Sequence, residues 1–217
     1  MELKSKKINF LGDSITYGHG TTVPEENRFS TLIANETGAI CRNYGIGGSR
    51  IAAQIDEPEE ARWDYCIRAL SMDKDADVIV VFGGTNDYGH GNAPLGEMSD
   101  RTPFTFYGAV HTLCTELLEM YPQADIVFLT PLHRCDEDNL RGDGTKSKEF
   151  ATLKDYTNIL CEVLEYYSIP ILDLYRTSQM QPEFDFIRNL YMPDGLHPND
   201  AGQKLLARKI IAYLRSL

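Results

Sequence analysis

The chain of 217 residues is 42% hydrophobic and 24% charged, an ordinary globular balance, and its length suits one domain spanning residues 1–217. Lys and Arg number 21 against 32 Asp and Glu, a formal charge of −11. That balance argues against a nucleic-acid partner, which needs a basic face to release counterions, and against docking on anionic membranes.

Residues 1–7 are polar and basic, and the apolar run at 8–11 is too short for the hydrophobic region of an export signal. It stops at Gly12-Asp13 and reads as a first strand. A shorter run at 40–44 is a second strand candidate, and 78–82, 126–129 and 169–172 are three more. These runs carry little polar alternation, as strands of a parallel sheet buried on both faces require. Helical spacing lies between them. Leu113, Leu117 and Met120 mark one helix, stopped near Pro122, and Phe150, Leu153, Thr157, Leu160, Leu164 and Tyr167 mark another. The last helix carries Leu205, Leu206, Ile210 and Leu214 on its inner stripe, with Asn199 as its N-cap. Strands alternating with helices predict a doubly wound α/β sheet.

Residues 83–103 and 132–148 read as long loops, of the kind that often carry lids or binding segments. The Arg141-Gly142-Asp143 triplet in the second reads as turn chemistry. No run approaches eighteen apolar residues, so no membrane span is expected. Cys41, Cys66, Cys114, Cys135 and Cys161 are odd in number and lack C-x-x-C spacing, which predicts free thiols in a reducing cytoplasm.

Open α/β sheets bind their ligands at the carboxyl ends of the strands. Gly12-Asp13-Ser14 follows the first run, Gly45-Ile46-Gly47-Gly48 the second, and Gly83-Gly84-Thr85-Asn86-Asp87 the third. Asp194-Gly195-Leu196-His197-Pro198 precedes the last helix. Together they supply what acyl transfer needs. A serine hydroxyl is a weak nucleophile until a base takes its proton, and histidine suits that task near neutral pH. Asp194 lies three residues before His197, close enough to fold back on the ring and hold its tautomer. The Ser14 and Gly48 backbone N–H groups and the Asn86 amide are candidate donors to an oxyanion.

These four blocks, in this order and spanning residues 12–198, resemble those of the SGNH (GDSL-type) serine hydrolases. The resemblance implies a flavodoxin-like three-layer α/β/α fold with a five-stranded parallel sheet. It implies Ser14, Asp194 and His197 as the catalytic triad, and Ser14, Gly48 and Asn86 as the oxyanion hole. The family's name-giving leucine is Ile15 here, an apolar exchange that leaves the chemistry alone. No G-x-S-x-G elbow occurs, so the chain is not an ordinary α/β-hydrolase.

Asp13 is expected to fix the Ser14 loop, and Asp87 to serve either an Asx turn or a supporting role. His133, His19 and His90 fall near the same edge and are candidates to line the pocket, whereas His111 sits within a helix and is structural. Asp13, Asp87, Asp194 and His197 are also metal-ligand types, which raises a metal-dependent phosphoesterase as a rival. None has metal-pair spacing, so neither metal nor cofactor is expected. A non-catalytic carbohydrate- or ligand-binding module on the same scaffold is the second rival, though every triad member is present. Substrates of the resembled family include acetylated sugars, lysophospholipids, thioesters and aryl esters. Tyr17, Tyr44, Tyr88, Tyr107 and Trp63 offer stacking surfaces, and no long apolar lid is visible for a fatty chain. A small-molecule ester is therefore the expected partner, with a short acyl group, acetyl above all, on a carbohydrate-like alcohol. The alternative within the family is a lysophospholipase or thioesterase, and a homo-oligomer stays open.

Overall fold

The computed structural model describes residues 1–55, 63–148 and 150–217. Its strands are β1 (Lys7–Gly12), β2 (Ile40–Gly45), β3 (Val78–Phe82), β4 (Asp125–Leu129) and β5 (Ile171–Leu172). They pair in parallel in the order β2-β1-β3-β4-β5. Among the described residues the helices are α1 (Ser14–Tyr17), α2 (Pro24–Asn27), α3 (Phe29–Thr37), α4 (Tyr65–Ala69) and α5 (Thr85–Gly89). They continue with α6 (Phe106–Met120), α7 (Leu153–Tyr166), α8 (Leu174–Thr177), α9 (Asp185–Tyr191) and α10 (Asp200–Ser216).

The unbroken apolar runs explain the layering. In a strand successive side chains point to opposite faces, so a run with no polar alternation must be covered twice. Ile79 and Val81 of β3 join Leu113, Leu117, Leu160 and Leu164 of α6 and α7 in one core. Val78, Val80 and Phe82 join Phe29 and Ile33 of α3 and Leu206, Ile210 and Leu214 of α10 in the other. The result is the expected three-layer α/β/α fold with a five-stranded parallel sheet.

Two element boundaries move inward from the sequence expectation, each for a backbone reason. The fifth strand begins at Ile171 because Pro170 has no N–H to give the ladder, although its carbonyl accepts from Phe128 N–H. The Ile169 N–H is occupied at the end of α7, donating to the Leu164 carbonyl. Helix α7 begins at Leu153 rather than Phe150, since Thr152 and Asp155 form a reciprocal capping box there. Asn199 does cap α10, its side chain accepting from Gly202 N–H. The 83–103 loop contains α5, while 132–148 has turns and no regular element.

All five cysteines are free thiols. Among the described residues no helix is long and apolar enough to cross a membrane.

Candidate active site

The strand order reverses direction between β1 and β3, and the loops leaving that point diverge to open a crevice at the carboxyl edge. Ser14 leaves β1 there and Asn86 leaves β3, while Gly48 follows β2. A cleft of about 330 Å³ is lined by Ser14, Gly48, Asn86, His197, His19 and His90, among others.

Local chemistry sets the position of Ser14. Asp13 caps α1 by accepting from Ile15 N–H at 2.9 Å, which leaves Ser14 as the first helical residue. An N–H in that first turn has no intrahelical acceptor. Among the described residues none accepts from it, and the same holds for Gly48 N–H. Gly48 adopts φ +75, a left-handed conformation that a side chain would strain, so the turn can present this amide to the cleft. Asn86 donates one amide hydrogen to the Ser49 carbonyl at 3.0 Å, which fixes the group and leaves its second hydrogen available.

The His197 imidazole is held equally firmly. His197 Nε2 lies 3.0 Å from Ser14 Oγ, and Nδ1 lies 2.6 Å from Asp194 Oδ2. A carboxylate can only accept, so Nδ1 carries the proton and Nε2 presents its lone pair to the serine. Asp194 Oδ1 accepts from the Leu196 and His197 N–H groups at 2.9 and 2.7 Å. Partial burial works to raise the Asp194 carboxyl, but the bonds from the His197 ring and the two amides prevail and hold it well below the usual range. It stays ionised throughout the physiological range.

Behind the cleft lies a buried electrostatic floor. Asp87 accepts from Ile51 and Ala52 N–H groups, both at 2.9 Å, and so anchors the segment after the Gly48 turn. Arg68 is buried too, donating to Ser49 Oγ and to the Gly12 and Tyr44 carbonyls, which ties the ends of β1 and β2 to that turn. Burial pushes both Asp13 and Asp87 up to about 6, against the amide bonds each accepts. A carboxyl raised on folding stabilises the fold below its unfolded value of 3.8, and that stability is lost as pH rises through 6. Asp13→Asn, which keeps an oxygen for Ile15 N–H, is therefore expected to gain on wild type by about 3 kcal/mol between pH 3.5 and pH 7. Urea denaturation of both proteins across that range checks it. A constant difference would contradict the buried charge.

His133, a pocket candidate from sequence, points elsewhere: its Nδ1 bonds to Glu137 and its ring stacks on Tyr175 with centroids 4.0 Å apart. The neighbouring Arg134 lines the cleft instead, with Asp143, Gly47 and Leu196. His111 is fully buried and bonds to the Tyr167 hydroxyl at 3.0 Å. His19, Asp194 and His197 hold ligand-type atoms within 4.8 Å of one another. The facing nitrogens of His197 are already engaged by Ser14 and Asp194. Arg68, Arg134 and Asp143 escape a reading of motifs, because no local pattern marks a side chain whose partners are distant in the chain.

Comparison with known proteins agrees with this architecture. Residues 10–205 match the model of the GDSL-like Lipase/Acylhydrolase family. One solved structure is 35% identical, covers 100% of this chain and 99% of its own, and superposes with a TM-score of 0.87. A protein from Lactobacillus plantarum is 32% identical with 98% of each chain covered and a TM-score of 0.84. A member of the lipolytic protein G-D-S-L family from Veillonella parvula shares the fold at 19% identity, covering 97% of this chain and 99% of its own, with a TM-score of 0.63. Curated proteins gave no match.

Proposed function

The chain belongs to the GDSL-like lipase/acylhydrolase family and is a carboxylic ester hydrolase, and from that premise we propose that Ser14, His197 and Asp194 carry out hydrolysis of short acyl esters, acetyl above all. The observation that carries the reading is the continuous hydrogen-bonded chain from Ser14 Oγ through His197 to Asp194, at 3.0 and 2.6 Å.

His197 Nε2 takes the hydroxyl proton as Ser14 Oγ attacks the ester carbonyl. The oxyanion accepts from Ser14 N–H, Gly48 N–H and the free amide hydrogen of Asn86. The imidazolium, stabilised by Asp194, then protonates the departing alcohol. Water, deprotonated by the same ring, attacks the acyl-serine, releasing the acid and restoring the hydroxyl. Asn86→Ala is expected to lower kcat by about 10² to 10³-fold, the effect of one oxyanion donor. A rise in KM with kcat unchanged would show that Asn86 only binds substrate.

We read the natural alcohol as a carbohydrate, on the hydrogen-bonding side chains of Asn86, His90, Arg134 and Asp143 in the cleft lining. Five free thiols suit a reducing compartment, the cytoplasm. The test is turnover of p-nitrophenyl acetate, butyrate and octanoate with EDTA present. The rate is expected to fall with chain length and to ignore EDTA. A preference for octanoate would overturn the short-acyl assignment, and loss of activity with EDTA would overturn the metal-free mechanism.

A further inference from the structure

The cleft has a second polar wall that ester hydrolysis alone leaves without a task. Arg134, His90 and Asp143 line the same space as Ser14 and His197. Arg134 is only 8% exposed, and its guanidinium lies over the Tyr88 ring at 5.4 Å. Nη1 makes long contacts of 3.4 Å to the Thr85 carbonyl and hydroxyl, while Nε is buried without a partner. No described residue accepts from Nη2.

Asp143 Oδ2 lies 3.4 Å from His90 Nδ1, and His90 Nε2 lies 3.4 Å from the Gly48 carbonyl. A neutral imidazole carries a single N–H and donates to one of these two acceptors, so His90 sets the wall beside the Gly48 turn. The Asp143 loop is seated backbone to backbone on the end of α5. Asp143 N–H donates to the Gly89 carbonyl at 2.9 Å, and Gly142, at φ +63, has no room for a Cβ, which would lie 2.0 Å from that same oxygen. The Arg141-Gly142-Asp143 triplet is therefore more than turn chemistry: it delivers a carboxylate to the cleft.

The charges on this wall cancel. Burial, aided by Arg50, pushes the His90 imidazole below its ordinary value and keeps it neutral at neutral pH. Burial works to raise Asp143, but its bonds from Thr145 hold it below the ordinary carboxylate value. One guanidinium then faces one carboxylate. A fatty acyl chain laid here would leave the Arg134 donors buried without an acceptor, which is unfavourable. An anionic substrate would satisfy Arg134 but meet Asp143. Adjacent hydroxyls satisfy both, since one oxygen can accept from Nη2 while its neighbour donates to Oδ2.

Resting on the hydrolase reading above, we propose that Arg134, Asp143 and His90 form a polyol-recognition wall, so that the substrate is a partly acylated sugar or sugar alcohol with free adjacent hydroxyls. Binding can be tested apart from turnover, by calorimetry on Ser14→Ala protein with a monoacetylated methyl xyloside and with cyclohexyl acetate. The glycoside is expected to bind about tenfold tighter or more, and Arg134→Gln or Asp143→Asn, each added singly, to abolish that preference. Should the buried Arg134→Gln fail to fold, as a thermal melt would show, the half-exposed Asp143→Asn carries the test. Equal affinity for the two ligands, or a preference that survives Asp143→Asn, overturns the wall. Wild-type turnover is read separately: a protein that prefers the glycoside yet hydrolyses no ester keeps the wall and loses the hydrolase mechanism.

Discussion

Ser14→Ala is expected to lower kcat for p-nitrophenyl acetate by about 10⁴ to 10⁶-fold, the loss that follows when a serine nucleophile of this kind is removed. The physical reason is that its hydroxyl is the group aligned with a prepared base, at 3.0 Å from His197 Nε2. Without Oγ, water must attack the ester directly, helped only by the oxyanion donors and by binding. The substitution should leave the fold intact. Asp13 still caps α1, and Ser14 Oγ has no bonding partner among the described residues other than His197. A variant keeping more than a tenth of wild-type kcat, with an unchanged melting curve, would remove Ser14 from the mechanism.

Asp194→Asn is the second large effect, a fall in kcat of about 10⁴-fold. The side-chain oxygen of asparagine can keep the bonds from Leu196 and His197 N–H that Asp194 Oδ1 now accepts. Its amide nitrogen then faces His197 Nδ1, where Oδ2 now sits at 2.6 Å. That nitrogen donates, so the ring must turn its Nδ1 lone pair toward it and carry its proton on Nε2. In that tautomer the ring cannot accept the Ser14 proton. The geometry survives while the chemistry fails, so substrate affinity should move little beside the fall in kcat. Steady-state kinetics with a thermal melt as control checks this. A fall of less than about tenfold would mean that Asp194 only positions the 194–198 turn.

Much of this architecture is legible in the residues. Strands covered on both faces must be apolar throughout, so Val78–Phe82 and its counterparts announce themselves. Their carboxyl ends then bring Ser14 and Asn86 to one cleft, which His197 joins from the turn before α10. The boundaries are less legible, because they depend on single backbone donors such as the one Pro170 lacks. The cleft's polar wall is least legible. His133 and Arg134 are neighbours in an irregular loop, and no periodicity decides which turns inward. In the structure Glu137 and Tyr175 draw His133 away, and Arg134 takes the cleft. Asp143 reaches it only because Gly142 packs against Gly89, a contact between distant segments.

The central claim is that Ser14 is a nucleophile activated by His197. Mass spectrometry after treatment with a fluorophosphonate tests it most directly, because the reagent reacts with a serine only where a base and an oxyanion hole act together. A single phosphonyl adduct on the peptide containing Ser14, absent from His197→Ala protein, is the result predicted. An adduct on a different residue, or none on protein that is turning over p-nitrophenyl acetate, would contradict it.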